Sequence, residues 1–432
     1  MDGVSFTDVL RRQTDHIIDA CTRCGKCAEA CPMTEPAGVD VSDSPALIGG
    51  ILDLLRGGEG TANAERWALV CSNSGKCIPA CAYGINPRLM VNLARIASKA
   101  KRGEAAVRKA GNAYFNNMSR GTRVISRLQL PPETIARINP ALKPMGEYEG
   151  TPDIVFYTGC NVIKNPHIAL LVLDVLDALD VSYEVMGGNA MCCGIQQFKQ
   201  GDAKTAGRVG YNTIERLGRA GASRVVAWCP SCQLQIGEVA LPAYRESYGA
   251  TPFDIAPMAE FFVERLDDLR KLFVHSVPKR VALQERSALP QVMAAVKQVL
   301  RAIPDLEVVE LDVPVMSTQS VHLNVLPKFK EELQQRIFAA AVEAKVTTFA
   351  SIFHGCHRDL VHYQKDVSFE LLNFMELIGE AMGIHIPDVY KRLSLMGDID
   401  AILADSADMI AANGMDIETV REVVAADMFG GR

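Results

Sequence analysis

Twelve of the thirteen cysteines in this 432-residue chain fall in its first 232 residues, in two tight groups. Seven stand between Cys21 and Cys81, five between Cys160 and Cys232, and Cys356 stands alone. Thiols this closely spaced must either bridge or share a metal, and the two choices demand different folds. The opening residues, MDGVSFTDVLRRQTDHIIDA, carry acids early and have no apolar core, so no secretory leader is expected. A reducing compartment follows, and cysteines there point to metal or redox chemistry and not to a disulfide framework. No apolar run reaches the roughly 18 residues of a membrane span; the nearest, HIALLVLDVLDALDV, is broken by three Asp. The expected location is the cytoplasm, free or peripheral on the inner face of the membrane. Lys plus Arg number 45 against 51 Asp plus Glu, a net charge of -6 that excludes a dedicated nucleic-acid binder.

The first group opens with Cys21-x2-Cys24-x2-Cys27-x3-Cys31-Pro32. This is the run by which two-cluster ferredoxins bind part of each cluster: three thiolates reach one cube, and the fourth points to its neighbour. Zinc, which also uses CxxC pairs, is the alternative. The partner motif is Cys71-x5-Cys77-x3-Cys81, with Ser74 where a further cysteine would stand. Crossed ligation gives Cys21, Cys24, Cys27 and Cys81, a complete set for [4Fe–4S]. It also gives Cys31, Cys71 and Cys77, which are only three thiolates. That second site holds either [3Fe–4S], or [4Fe–4S] with Ser74 or water on the odd iron. The stretch CSNSGKCIPACAYGINP resembles the second motif of the iron–sulfur subunits of succinate dehydrogenases and fumarate reductases, down to Ile85, Asn86 and Pro87. It departs at Ala82, where that family has Pro, and nothing resembles that family's plant-type [2Fe–2S] domain. The resemblance covers about residues 1–100, implies an α-helical ferredoxin fold, and favours [3Fe–4S].

At this length two or three domains are expected. The spacing of apolar residues predicts a helix in SFTDVLRRQTDHIIDA, capped by Ser5 or Thr7, and further helices at 44–56, 62–70 and 87–100. The basic, Pro-containing stretch 99–150 reads as a solvated surface connection. From about 151 the rhythm changes to strand and helix in alternation, the pattern of a parallel α/β sheet. Cys160 follows the strand at 154–157, Cys192 and Cys193 follow 182–186, and Cys229 follows 224–228. Ligands of open α/β sheets bind beyond the carboxyl ends of the strands, so these cysteines are expected to converge. From about 278 the rhythm repeats (RVALQE, LEVVELDV and VTTFASIF as strands), which suggests an internal duplication. The last stretch, DIDAILADSADMIAANGMDIETVREVVAADM, reads as two short helices. The expected architecture is therefore multidomain: a two-cluster α-helical ferredoxin domain (1–145), a cysteine-rich α/β domain with a parallel sheet (151–275), and a second α/β domain with C-terminal helices (276–432).

The second group has Cys160, then 31 residues, then Cys192-Cys193-Gly194, with 35 residues between Cys193 and Cys229, and Cys229-Pro230-Ser231-Cys232. Neighbouring side chains of an extended chain point to opposite sides, so a Cys-Cys pair reaches one cluster only at a kink, which Gly194 supports. Five thiolates exceed the four of a cubane. The pattern resembles the cysteine-rich CCG domain of heterodisulfide reductases and of iron–sulfur subunits of glycolate- and lactate-oxidising systems. That resemblance implies a noncubane [4Fe–4S] cluster held by all five, Cys160, Cys192, Cys193, Cys229 and Cys232, with an iron open to a substrate sulfur. Zinc remains the less favoured occupant.

In the third unit Ser287 falls where Cys160 would, Ser317 and Thr318 at the Cys pair, and Phe353 with Cys356 at CxxC, with separations of 29 and 34 residues. Residues 276–432 thus read as a degenerate second CCG domain, which puts cleavage of a coenzyme heterodisulfide in doubt, since two facing clusters are what the family uses. Nearby, FHGCHRDLVHY gathers His354, Cys356, His357 and His362, either as metal ligands or proton donors, or as a histidine-bearing loop at an interface.

No GxGxxG follows a strand and no P-loop or CxxCH is present, so no nucleotide, flavin or c-type haem site of these types is visible. Iron–sulfur clusters move single electrons, which implies a flavoprotein partner and leaves room for another iron–sulfur or quinone-reactive subunit. The reading that emerges is an oxidoreductase subunit carrying electrons between a flavoprotein dehydrogenase and a quinone or thiol/disulfide acceptor. The rivals are a catalytic disulfide reductase acting through the five-cysteine cluster, and a zinc-bearing scaffold.

Overall fold

The computed structural model describes residues 4–143 and 150–430. Residues 1–3 of the leader reading and 144–149 of the expected connection lie outside them. The N-terminal region is helical. Phe6–Ala20 starts at Ser5, whose hydroxyl accepts from the Asp8 amide. Ala62–Val70 starts at Thr61 in the same manner. Pro87–Ala100 begins with Pro at its first position and Asn86 as cap, the position where a missing N–H costs nothing. With Ser44–Leu55, these helices bury Val9, Ile48, Ile51, Leu52, Trp67 and Met90 in one core.

Two four-stranded sheets follow. The first comprises β1 (Ile154–Gly159), β2 (Tyr183–Gly187), β3 (Arg224–Ala227) and β4 (Asp254–Pro257). The second comprises β5 (Arg280–Leu283), β6 (Glu307–Val309), β7 (Thr348–Ser351) and β8 (Glu370–Asn373). Strand orders are β2-β1-β3-β4 and β6-β5-β7-β8, and all pairings are parallel. The shared order is the structural counterpart of the repeat in the sequence. β1 is buried along its whole length, as a central parallel strand covered on both faces must be. The two sheets share a second core, in which Trp228 after β3 stacks on Phe374 after β8, ring centroids 5.7 Å apart. Helix Pro166–Ala178 is buried between the units on nearly every side. Gly379 of helix Phe374–Met382 comes so close that a Cβ there would stand 2.8 Å from Leu171.

Three segments differ from the sequence expectations. Residues Glu104–Arg127 form a 24-residue helix, and Pro132–Ile138 another; the buried apolar residues of the long helix are Val107 near its start and Val124 and Ile125 near its end, with a polar and basic stretch between them that masks the period. The C-terminal stretch contains three helices, Ile399–Asp405, Ala407–Ala412 and Ile417–Val424, which cover Val124 and Ile125. β4 and β8 were not anticipated: each is four residues long and opens on an acid. Among the described residues no helix is long and apolar enough to cross a membrane.

Candidate metal centres

All thirteen cysteines are free thiols, and twelve are brought together in three places. Cys21, Cys24, Cys27 and Cys81 line one pocket of about 340 Å³, counted to its open mouth, with Ile48, Tyr83, Ile85 and Met90. Burial and the three neighbouring thiols push Cys27 up to about 12. Thiols that repel so strongly when ionised are a donor set that a multivalent cation would stabilise, since metal ligation requires the thiolate form. Cys31, Cys71 and Cys77 form the second group: Cys77 is raised by burial and then by Cys71 and Cys31. The indole Nε1 of Trp67 donates to the Cys31 sulfur at 3.3 Å. Ser74 is buried in the loop between Cys71 and Cys77.

The third group occupies the carboxyl ends of β1, β2 and β3, beside the switch between β2-β1 and β1-β3. Cys192 contacts Cys160 and Cys193 through hydrogen bonds, and Cys232 contacts Cys193 and Cys229. All five are buried. Two glycines permit this approach. Gly159 has φ +70, and a Cβ there would stand 3.1 Å from the Cys232 sulfur. Gly194 has φ +85, and its Cβ would meet the Ala206 carbonyl at 2.5 Å, which makes the residue after the Cys pair necessarily glycine. Cys229 caps the short helix Pro230–Leu234 that carries Cys232. Five free, buried, mutually contacting thiols fit an iron–sulfur group better than a disulfide pair.

Several residues around this centre escaped the sequence reading. The fully buried Tyr157 sits among Cys232, Cys193, Cys192 and Cys160, and its hydroxyl donates to the Met191 carbonyl at 2.5 Å. Its only sequence signal was its place at i−3 from Cys160. Thr213 donates to the Cys192 carbonyl at 2.7 Å. Lys199 is enclosed between the second and third groups, with Cys71, Cys193 and Cys229 all acting on it, and burial lowers it to about 7. Its Nζ lies 2.6 Å from Nε2 of His322.

The second α/β unit supplies the rest. His354, Cys356 and His357 lie on a buried helix, His354–Val361, and not in a loop. The His354 ring contacts Cys229, whereas His357 turns toward Asp388 and His362 is half-buried on the following turn. Four of the five positions aligned with cysteines make packing contacts. Ser287 Oγ donates to the Ser74 carbonyl at 2.9 Å, and Thr318 Oγ1 to the Asn73 carbonyl at 3.1 Å. Ser317 accepts from Arg286, and the Cys356 sulfur accepts from the Ser320 amide. The degenerate end of the second sheet therefore closes over the loop of the three-thiol group.

Residues 154–237 match the model of the CCG cysteine-rich domain family. Over 402 residues the chain is 21% identical to one component of the dihydromethanophenazine:CoB–CoM heterodisulfide reductase of Methanosarcina barkeri (strain Fusaro / DSM 804), an alignment spanning 85% of this chain and 94% of that protein. The five thiols at the ends of β1 to β3 thus lie within a CCG cysteine-rich domain, and over most of its length the chain is similar to that heterodisulfide reductase component.

Proposed function

We propose that this chain is the iron–sulfur electron-transfer subunit of a multisubunit oxidoreductase, working between a flavoprotein partner and a quinone or thiol/disulfide acceptor. The observation that carries the reading is the convergence of Cys160, Cys192, Cys193, Cys229 and Cys232 in one buried place. In this reading those five hold a noncubane [4Fe–4S] cluster, Cys21, Cys24, Cys27 and Cys81 a cubane, and Cys31, Cys71 and Cys77 a [3Fe–4S] cluster. Once bound, such clusters supply one-electron steps, and a five-thiolate centre supplies an iron open to sulfur. The chain's own residues exclude water and fix the thiols. Tyr157 pins the turn before the Cys pair, Trp67 donates to Cys31, and the Lys199 amine stands between the second and third groups against His322. The domain division 1–145, 151–275 and 276–432 belongs to the same proposal.

The catalytic alternative has one specific observation in its favour, the buried His354 against Cys229, a proton donor where a substrate sulfur would leave. The test is anaerobic purification with iron and sulfide counted and EPR recorded before and after dithionite. About eleven irons with a [3Fe–4S] signal before reduction is the expected result. About seven or eight irons with one zinc bound by sulfur at about 2.3 Å would instead make the five-cysteine centre structural. Turnover of a disulfide by the isolated chain would favour the catalytic reading, and activity only with an added flavoprotein would favour the relay.

A further inference from the structure

A fourth group of metal-ligating side chains contains no cysteine. His167 lies on helix Pro166–Ala178 of the first α/β unit. His357 lies on helix His354–Val361 of the second, Glu376 on the first turn of Phe374–Met382, and Asp388 caps Val389–Met396. One donor atom from each lies within 4.8 Å of the others. Zinc holds imidazole nitrogen and carboxylate oxygen tetrahedrally at about 2.0–2.2 Å, which puts its donors roughly 3.4 Å from one another, so this set needs to draw in by only about an ångström to close on one ion.

Two features of the group point to a cation. The His167 side chain is 1% exposed, with Nδ1 3.5 Å from Asp388 Oδ1 and Nε2 3.7 Å from Glu376 Oε2. Neither nitrogen makes a hydrogen bond, although an unpaired buried polar group is costly. His357 supplies the second. Its Nδ1 lies 3.1 Å from Ser351 Oγ, whose own proton goes to the Leu372 carbonyl. The serine therefore accepts and Nδ1 is the N–H, while Nε2 lies 2.6 Å from the Asp388 carboxylate, a contact that needs either a proton or a cation between the two. An outer nitrogen anchored in this way is the arrangement that fixes metal-bound histidines. The carboxylates are also oriented: Asp388 Oδ1 accepts from the Lys391 amide at 3.0 Å, and Glu376 Oε2 from the Asn373 amide at 2.6 Å. Each keeps lone pairs for another partner.

We propose that His167, His357, Glu376 and Asp388 bind one divalent transition-metal ion of zinc type, which fastens the first α/β unit to the second. Four protein donors make a closed set, the mark of a structural and not a catalytic site. The inference uses none of the twelve grouped cysteines, so it stands or falls separately from the iron–sulfur reading. It does not need His357 to be charged. Its rival is a buried ionic network in which protons take the place of the ion.

The experiment is metal analysis of the full chain purified anaerobically with its clusters, joined to zinc-edge X-ray absorption on the same sample. The expected result is one zinc per chain beyond the iron, in a nitrogen/oxygen shell at about 2.0–2.1 Å. His167→Ala and Glu376→Gln lose the zinc and keep iron and sulfide unchanged; Cys193→Ala keeps the zinc. The absorption spectrum of the unaltered protein decides the matter even if a variant fails to fold. Absence of stoichiometric zinc after incubation with zinc salt overturns the proposal, as does a sulfur shell around the ion.

Discussion

Tyr157 shows how much a single residue can contribute to a thiol centre without being one of its thiols. Its phenol is fully buried and is the donor that satisfies the Met191 carbonyl, directly before the Cys pair. Tyr157→Phe preserves the ring and removes only that donor. It should cost about 1–3 kcal/mol, the cost of leaving a buried carbonyl unpaired. A lower melting temperature with iron retained is expected, and an unchanged melting temperature would show that the carbonyl finds another partner. Ser74 is the corresponding single-residue question at the three-thiol group. Its backbone is held by Ser287 from the second α/β unit, so a longer side chain there acts on a fixed loop. Ser74→Cys should convert a [3Fe–4S] centre to [4Fe–4S], read as one additional iron and loss of the oxidised-state EPR signal. No change in iron or spectrum would sink the assignment of Cys31, Cys71 and Cys77 as that site.

Among the elements, the turn after β2 carries the greatest constraint, because two cysteines, a left-handed glycine and the helix Ala203–Gly218 meet there. Cys193→Ala should remove the five-cysteine centre alone, leaving the irons of the N-terminal pair, as counted by iron and sulfide analysis. Loss of every centre together would mean that the groups do not fold as separate sites. The β1, β2 and β3 positions were legible in the sequence because apolar runs ending at cysteines carry two signals at once. Strand β4 was not: Asp254–Pro257 is an edge strand, only partly buried, and its pairing with β3 is what makes it a strand. His354 on Cys229, Lys199 beside His322 and Ser287 on the Ser74 carbonyl were also illegible. Each joins residues far apart in the chain, and local spacing holds no record of such contacts. The metal-ligating quartet shows the same limit, since only His357 of its four members lay in a motif that drew notice.

Across the whole molecule, the three regions meet at Arg88. It is 5% exposed at the start of helix Pro87–Ala100, and its guanidinium donates to the carbonyls of Asn73 at 3.4 Å and Ala288 at 3.2 Å. It also pairs with Glu238 of the first α/β unit. One side chain thus ties the loop of the three-thiol group to both sheets. The Glu238 carboxylate is 36% exposed, so the ion pair itself contributes little. The carbonyls matter more: Asn73 keeps the Thr318 hydroxyl as a second donor at 3.1 Å, so the loss of Arg88 falls on the Ala288 carbonyl. Arg88→Met keeps much of the apolar stem and removes the fork. It should lower stability by about 1–3 kcal/mol through the unpaired Ala288 carbonyl, and loosen the loop that presents Cys71 and Cys77. Iron loss should therefore fall first on the three-thiol group, seen as a weakened oxidised-state EPR signal while the five-cysteine centre persists. Arg88→Lys returns the charge without the planar fork, so it should recover only part of both effects. If Arg88→Met left the signal and the melting temperature unchanged, the three regions would have to be held by their shared apolar cores alone, and the polar contacts over the 71–77 loop would be incidental to cluster retention.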